Sequence, residues 1–400
     1  MPIDRTLTRT CRPIAALALT LVAAAGQQAF AQEPLRDVLS FLLTNQAVPT
    51  EDFARDAEAA AVTRDTISRL LLAELATLPI GSTSAGFTYR FNPALGTVER
   101  ASDSFGPFFA ERSATAGAGQ ATVGVSVQFA SYTHLNDVEL DEGTLLTTAN
   151  QFRDEDEPFD VERLALEIRS RTFTLYGNVG LTDRVDIGAV VPLVSLTLSG
   201  SRVNTYRGQQ LLQASATAET TGLGDIAVRG KIRLTGGLAS GVSLLGEMRL
   251  PTGREEDLLG AGEASFTATL VGSYEPGRVA AHVNAGFTQG GLFDELAYRG
   301  AISVSASPRV TIVGELSGRR IADIGRLTEE RAPHPTIRNV DTIRLVTTGG
   351  ALTSTSVTGG VRWNVGGPWL LNASVTIPIV NHGLRPRATT LVGLDYTFSN

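Results

Sequence analysis

The stretch Ile226-Ala-Val-Arg-Gly-Lys-Ile-Arg-Leu234 decides how the chain is read. In an extended backbone successive side chains point to opposite faces, so Ile226, Val228, Ile232 and Leu234 share one side while Arg229, Lys231 and Arg233 share the other. One face suits hydrocarbon and the other suits water. The same alternation recurs in short runs from Gly119 to Asn400, with a heavily charged polar face. A soluble sandwich also alternates, but here the runs continue to the last residues and an export signal precedes them. The pattern predicts an all-β, transmembrane, antiparallel β-barrel of the outer-membrane type, the one sheet architecture that leaves no unpaired edge in lipid.

The export signal is compact. Arg5, Arg9 and Arg12 stand ahead of an apolar stretch at 14–26, and the small-x-small triplet Ala29-Phe-Ala31 predicts cleavage before Gln32. Residues 1–31 are therefore expected to be a signal peptide. The only cysteine, Cys11, lies before the apolar stretch and leaves with it, so the mature chain is expected to carry no disulfide, thiolate metal site or cysteine nucleophile. No later segment reaches the roughly 18 apolar residues of a spanning helix. The net charge of −7 argues against nucleic acid as a partner, and removal of the signal arginines makes the mature chain more acidic.

Residues 32–80 read as a helical N-terminal segment, with Leu35, Val38, Leu39 and Leu42 on one face. A second helix is expected from a Thr50 cap with Glu51 and Asp52 in its first turn, carrying Phe53, Ala57, Ala60, Ile67, Leu71 and Leu75. These helices are expected either to plug the lumen or to form a periplasmic segment. Residues 81–117 form a Gly/Ser-rich hairpin and linker, with Asn92-Pro93 and Gly96 at the turn, and the barrel is expected over 118–400.

Within the barrel, tight connections fall at 182–184, 236–237, 275–278, 307–309 and 366–368, and longer ones at 203–221, 251–263, 290–297, 321–341 and 381–388. Outer-membrane barrels have short periplasmic turns and long outer loops, and the two sets alternate strictly here. That regularity gives about 12 strands if 161–181 and 342–365 are each one long strand, or 14 if both are split. In 161–181 the apolar phase changes, since Leu164, Leu166 and Ile168 are even whereas Phe173, Leu175, Val179 and Leu181 are odd. The change predicts a bulge or break between Ser170 and Thr172. Tyr274, Trp363, Trp369, Tyr396 and Phe398 lie beside turns or ends assigned to the periplasm, where an aromatic girdle belongs.

By phase, Asp225, Arg229, Lys231, Arg233, Glu247, Arg249, His282, Asn284, Arg299, Glu315, Arg362, Asn364, Asn372 and Asp395 face the lumen. They would line a passage or binding site for a solute, an anion being favoured by the basic excess. Alternatively, pairs such as Asp225 with Arg229 or Glu247 with Arg249 simply satisfy one another inside the barrel. The acidic loop at 135–160, with Asp137, Glu139, Asp141, Glu142 and 154–157, has carboxylates enough for a hard cation, but its spacing matches no calcium-binding pattern and favours a solvated loop. No metal or cofactor is expected. Of the four histidines, His134 and His382 lie at outer loops, His334 sits between two prolines, and none shows the spacing of a hydrolase or protease centre, so no enzymatic activity is expected.

Several stretches resemble a known family. Thr221-Gly-Leu-Gly-Asp-Ile226 opens one strand, Leu250-Pro-Thr-Gly253 closes the next, residues 176–187 hold a Thr-Asp-Arg turn, and the chain ends Gly393-Leu-Asp-Tyr-Thr-Phe398. Together they resemble the MetA-pathway-of-phenol-degradation family of outer-membrane proteins over roughly 173–398, with Ser104-Phe-Gly-Pro107 marking an extension shared by a subset. The resemblance implies kinship with long-chain fatty-acid transporters, residence in the outer membrane of a Gram-negative bacterium, and a channel or transporter for small, hydrophobic or aromatic compounds. The partners expected are outer-membrane lipid and lipopolysaccharide, the barrel-assembly machinery, and a small-molecule solute. A non-conducting barrel acting through its long outer loops is the alternative. In physical terms, Gly222 and Gly224 permit a sharp strand entry, Asp225 can hydrogen-bond the turn, and Pro251 ends a strand where no ladder donor is needed.

Overall fold

Alternating β-branched and polar residues, punctuated by Asp, Gly and Pro turns, fold into twelve wall strands. These are β1 (Ala121–Leu135), β2 (Asp160–Thr182), β3 (Val185–Tyr206), β4 (Ile226–Gly236), β5 (Ser240–Leu250), β6 (Ser265–Tyr274), β7 (Val279–Gly290), β8 (Glu295–Ser307), β9 (Val310–Ile321), β10 (Leu352–Gly366), β11 (Trp369–Pro378) and β12 (Leu384–Phe398). Each pairs antiparallel with its neighbour, and β12 returns to β1 through Val392↔Val127 and Tyr396↔Val123, closing the barrel. The computed structural model describes residues 33–44, 53–75, 81–82, 86, 89–92, 97–100, 102–237, 240–334, 336–380 and 382–398. The expected signal peptide, the Thr50 cap with Glu51 and Asp52, and the terminal Ser399-Asn400 lie outside the described residues.

The tight turns gather at one end of the barrel, together with the start of β1 and the end of β12. At the other end the wall continues into a collar. Residues Gln209–Leu223 turn back at Arg207-Gly208, both with positive φ, and pair with the upper half of β3. Strand Leu145–Phe152 pairs with the top of β2 and with Val340–Thr347, which in turn pairs with Leu327–Pro333. The acidic loop at 135–160 is thus partly sheet. Its Asp160 is buried and accepts hydrogen bonds from Asn150 (3.3 Å) and Asn204 (2.5 Å).

Two expectations about long strands need correction. Strand β2 runs 23 residues without a bulge between Ser170 and Thr172, and its register with β3 shifts only at Gly180/Thr182. Even-numbered residues face inward along its whole length. The apolar phase changes because the surroundings change: Phe173, Val179 and Leu181 are exposed on the outer face of the barrel, whereas Leu164, Leu166 and Ile168 point inward and are at most 1% exposed. The second correction concerns 342–365, which is not one strand. Val340–Thr347 belongs to the collar, and the wall resumes at Leu352. The count of twelve holds because the collar strand replaces no wall strand. Register shifts do occur elsewhere in the wall, among them in β12, where pairing with β1 jumps from Pro386↔Tyr132 to Thr389↔Ala130.

The core inside the collar is made with two helices, α1 (Leu35–Thr44) and α2 (Phe53–Leu75). Leu35, Leu39, Leu42 and Leu43 of α1 are fully buried, and with Ile67, Leu70 and Leu71 of α2 they meet Leu164, Leu166, Ile168, Leu196 and Leu198 of the wall. Each such leucine contributes about 2 kcal/mol of transfer free energy, so the inner face of the collar must be apolar to hold them. Both ends of α1 are fastened. The Leu35 N–H faces Asp257 Oδ1 at 3.4 Å, and the buried Arg202 guanidinium donates to the Leu43 carbonyl while pairing with Glu162 at 3.1 Å. The helices therefore sit in the lumen at the end opposite the tight turns.

Candidate functional site: the lumen between two closures

Residues 102–118, all but the last read from sequence as part of a linker, instead cross the lumen near the tight turns. They carry no periodic pattern, and most are at or near full burial. Polar wall residues hold them from all sides. The Glu315 carboxylate accepts the successive N–H groups of Phe108, Phe109 (3.1 Å) and Ala110 (2.9 Å), and Asp186 accepts that of Ala116 (3.0 Å). Arg112 makes a two-pronged pair with Glu275, through Nε at 3.0 Å and a terminal nitrogen at 2.7 Å, with both side chains 1% exposed. Arg362 donates to the Phe105 carbonyl at 2.5 Å. A Cβ at Gly360 would stand 2.7 Å from the Phe108 ring, so this wall position must be glycine for the ring to seat.

These contacts account for most residues that alternation directs inward. Arg229 bridges Glu247 (2.7 Å) and Glu111 (3.3 Å), and Lys231 lies between Glu111 (3.7 Å) and Asp186 (3.9 Å). Arg233 donates to the Asp183 carbonyl, and Asn284 takes both the N–H and the carbonyl of Glu111. His282 is buried against the Ser273 hydroxyl at 3.0 Å. Asp395 accepts from Tyr176 and from Asn372 (3.0 Å) and lies 3.7 Å from Arg362, while Asn364 caps the turn at the Gly367 carbonyl. Arg249 pairs with Glu247 at 2.9 Å.

Asp225 is set apart from the others. It does not pair with Arg229 but accepts the N–H groups of Gly253 (3.0 Å) and Ala261 (2.8 Å). Thr252 completes the clasp, donating to the Gly224 carbonyl (2.8 Å) and accepting from the Ile226 N–H (2.9 Å). The two short glycine-rich motifs are therefore one structural unit, locking the 251–263 loop beneath α1. Glycine is required at 253 and 260, because a Cβ on either would come within 3 Å of the other residue.

Between the strap and the helices remains a cavity of about 140 Å³. Phe109 of the strap lies at one side and Glu74 of α2 at another, and Tyr132, Arg249, Glu295, Arg299, Arg319, Pro378, Leu384, Arg385 and Pro386 contribute from the wall. Arg319 pairs with Glu74 and with Glu295 (3.4 Å) and donates to the Ala73 carbonyl (3.2 Å), which caps the end of α2. Burial pushes the Glu74 carboxyl above its ordinary range, with Arg319 pulling the other way. Arg299 lines this cavity and a smaller one beside Glu111 and Asn284. Phase alone would have found Glu295 and Arg319, which extend the inward rows of β8 and β9 but were assigned to or beside a loop. Glu74, Phe109, Glu111 and Arg112 left no such trace, because a strap and a helix end follow no strand period.

A closed barrel with an apolar outer belt, aromatic residues beside the tight turns and a polar interior defines the class: this is an outer-membrane β-barrel. Trp369, Tyr396 and Phe398 stack edge-on along the belt's lower rim. The family described as putative MetA-pathway of phenol degradation matches residues 99–292, bearing out the resemblance read from the motifs. The match begins earlier than those motifs, takes in the strap, and stops before the chain's final strands. No curated protein matches the sequence. Among solved structures, similarity extends to an outer-membrane channel from Pseudomonas putida F1, with a TM-score of 0.45 and 11% identity over 71% of this chain and 97% of that one. It also extends to the toluene transporter TbuX of Ralstonia pickettii (TM-score 0.29, 8% identity, 71% and 90% covered) and to the monoaromatic hydrocarbon channel CymD (0.25, 11%, 71% and 89%). At such values these likenesses carry no weight for the solute.

Proposed function

We propose that this protein is an outer-membrane channel or transporter for small, hydrophobic or aromatic compounds. The observation that supports it most is the cavity left inside a barrel whose two ends are narrowed by segments of the same chain, one apolar and helical, the other a polar strap. A scaffold built only to span the membrane has no need of an amphipathic chamber there. The match to a family described by a pathway of phenol degradation points the same way. Lipopolysaccharide would meet the collar, the assembly machinery would read the aromatic-rich strand β12, and no catalytic role is assigned. Proteoliposomes are expected to take up phenol or toluene faster than protein-free vesicles. Uptake identical with and without the protein, across aromatic compounds, fatty acids and sugars, would remove this reading.

The closure of both ends favours one alternative, a non-conducting barrel that acts through its collar. Single-channel recordings separate the two. Because the strap remains, deletion of residues 34–78 alone is expected to leave conductance low, and only its combination with a weakened strap is expected to open the lumen.

A further inference from the structure

The guanidinium groups around the central cavity outnumber the carboxylates that can neutralise them. Arg249, Arg299, Arg319 and Arg385 line it, together with Glu74 and Glu295. Arg319 engages both of these carboxylates, and Arg249 engages Glu247. Glu315, also near Arg299, is taken up by the strap N–H groups, so Glu247, Glu295 and Glu315 act on Arg299 only through space, and Arg299 and Arg385 make no ion pair or hydrogen bond among the described residues. The Nε of Arg385 is buried without an acceptor among the described residues. Two guanidinium groups with no directly bonded acceptor inside a barrel, Arg299 having carboxylates only at longer range, favour an anionic ligand, since a charge removed from water needs a partner or a hydrogen-bond acceptor.

The rest of the lining says what else that anion must carry. Phe109, Tyr132, Pro378, Val380, Leu384 and Pro386 give the same cavity an aromatic and aliphatic surface. A fully hydrated inorganic ion gains nothing from these groups, and a neutral hydrocarbon leaves the guanidiniums unsatisfied. We propose that the chamber is a binding site for a monocarboxylate with a compact apolar body, about the size of one aromatic ring, its carboxylate held by Arg299 and Arg385 and its ring lying against Phe109 and Tyr132. Guanidinium is suited to the task because its planar donors match carboxylate oxygens. The site rests on the channel reading for its purpose, but not for its chemistry.

The test uses the full-length mature protein in vesicles, with benzoate as probe and benzamide as its uncharged counterpart. Equilibrium binding is expected to favour benzoate about tenfold or more, the range of one or two charge-assisted hydrogen bonds. Arg299→Gln and Arg385→Gln are each expected to weaken benzoate binding about tenfold and benzamide binding much less, so that the benzoate preference falls, while Arg299→Lys retains part of that preference. Retention of the folded, heat-modifiable barrel in gels shows which variants can be compared, and the wild-type ratio stands even if neither glutamine variant folds. Equal binding of benzoate and benzamide by the wild type, or benzoate binding untouched in both folded variants, overturns the proposal. Phenol uptake without a benzoate preference would remove this site but keep the channel. Benzoate preference without flux of any solute would do the reverse.

Discussion

Strands β2 and β3 pass through two environments that are mirror images of each other. In the half nearer the tight turns, Phe173, Val179 and Ile187 face outward and are exposed, while Asn178 and Asp186 face the lumen and are buried. In the collar half the same outward row continues as Ser195, Thr197 and Ser199, and the same inward row becomes Leu164, Leu166, Ile168, Leu196 and Leu198. The backbone does not shift between them. Lipid outside demands a polar interior, which the strap then fills with hydrogen bonds, and water outside permits an apolar interior, which the helices fill with leucine. An inversion of hydrophobic phase can therefore mark the edge of the membrane as well as a bulge.

The largest effect that would break this contrast is expected in the collar. Leu198→Asp should cost about 5 kcal/mol by placing a carboxylate among leucines, whereas Thr197→Asp, one residue away and facing outward, should stay within about 0.5 kcal/mol. Urea unfolding in detergent and protease access to α1 read both. If the two substitutions behave alike, the collar has no apolar interior. In the membrane half the interior is tested by Arg112→Ala, which strands the buried Glu275 and is expected to lose about 3–5 kcal/mol and to raise single-channel conductance. Unchanged conductance would mean that the strap does not limit the lumen. On the outer face, Val283→Arg is expected to destabilise by about 2–3 kcal/mol in lipid vesicles, because Val283 is 64% exposed on the belt. A neutral result would place that strand outside the hydrocarbon. A smaller loss is expected at the clasp around Asp225, where Thr252→Val removes a bridging hydroxyl and should cost about 1 kcal/mol, with faster amide exchange at Gly253 and Ala261.

Much of the wall was legible because strand period and lumen direction coincide in the membrane half. Arg229, Lys231, Glu247, Asn284, Glu315 and Arg362 are placed inward by phase alone, and all six are buried. Phase was silent on their partners. Asp225 could be read either as a partner of Arg229 or as an acceptor for its turn, and it clasps Gly253 and Ala261, since the loop that follows β5 folds back over it. Phase was misleading at Ser170, where a change of surroundings imitates a change of register.

By itself, the sequence determined a barrel of about twelve strands, the faces of most of them and the end at which the tight turns lie, because a two-residue period and turn chemistry are local properties that each segment expresses on its own. Only the tertiary structure decided that residues 102–118 cross the lumen, that the helices fill the collar rather than the tight-turn end, and that Arg299 and Arg385 line one cavity. Those facts depend on which groups from distant strands converge once the sheet has closed, and no local period encodes that convergence.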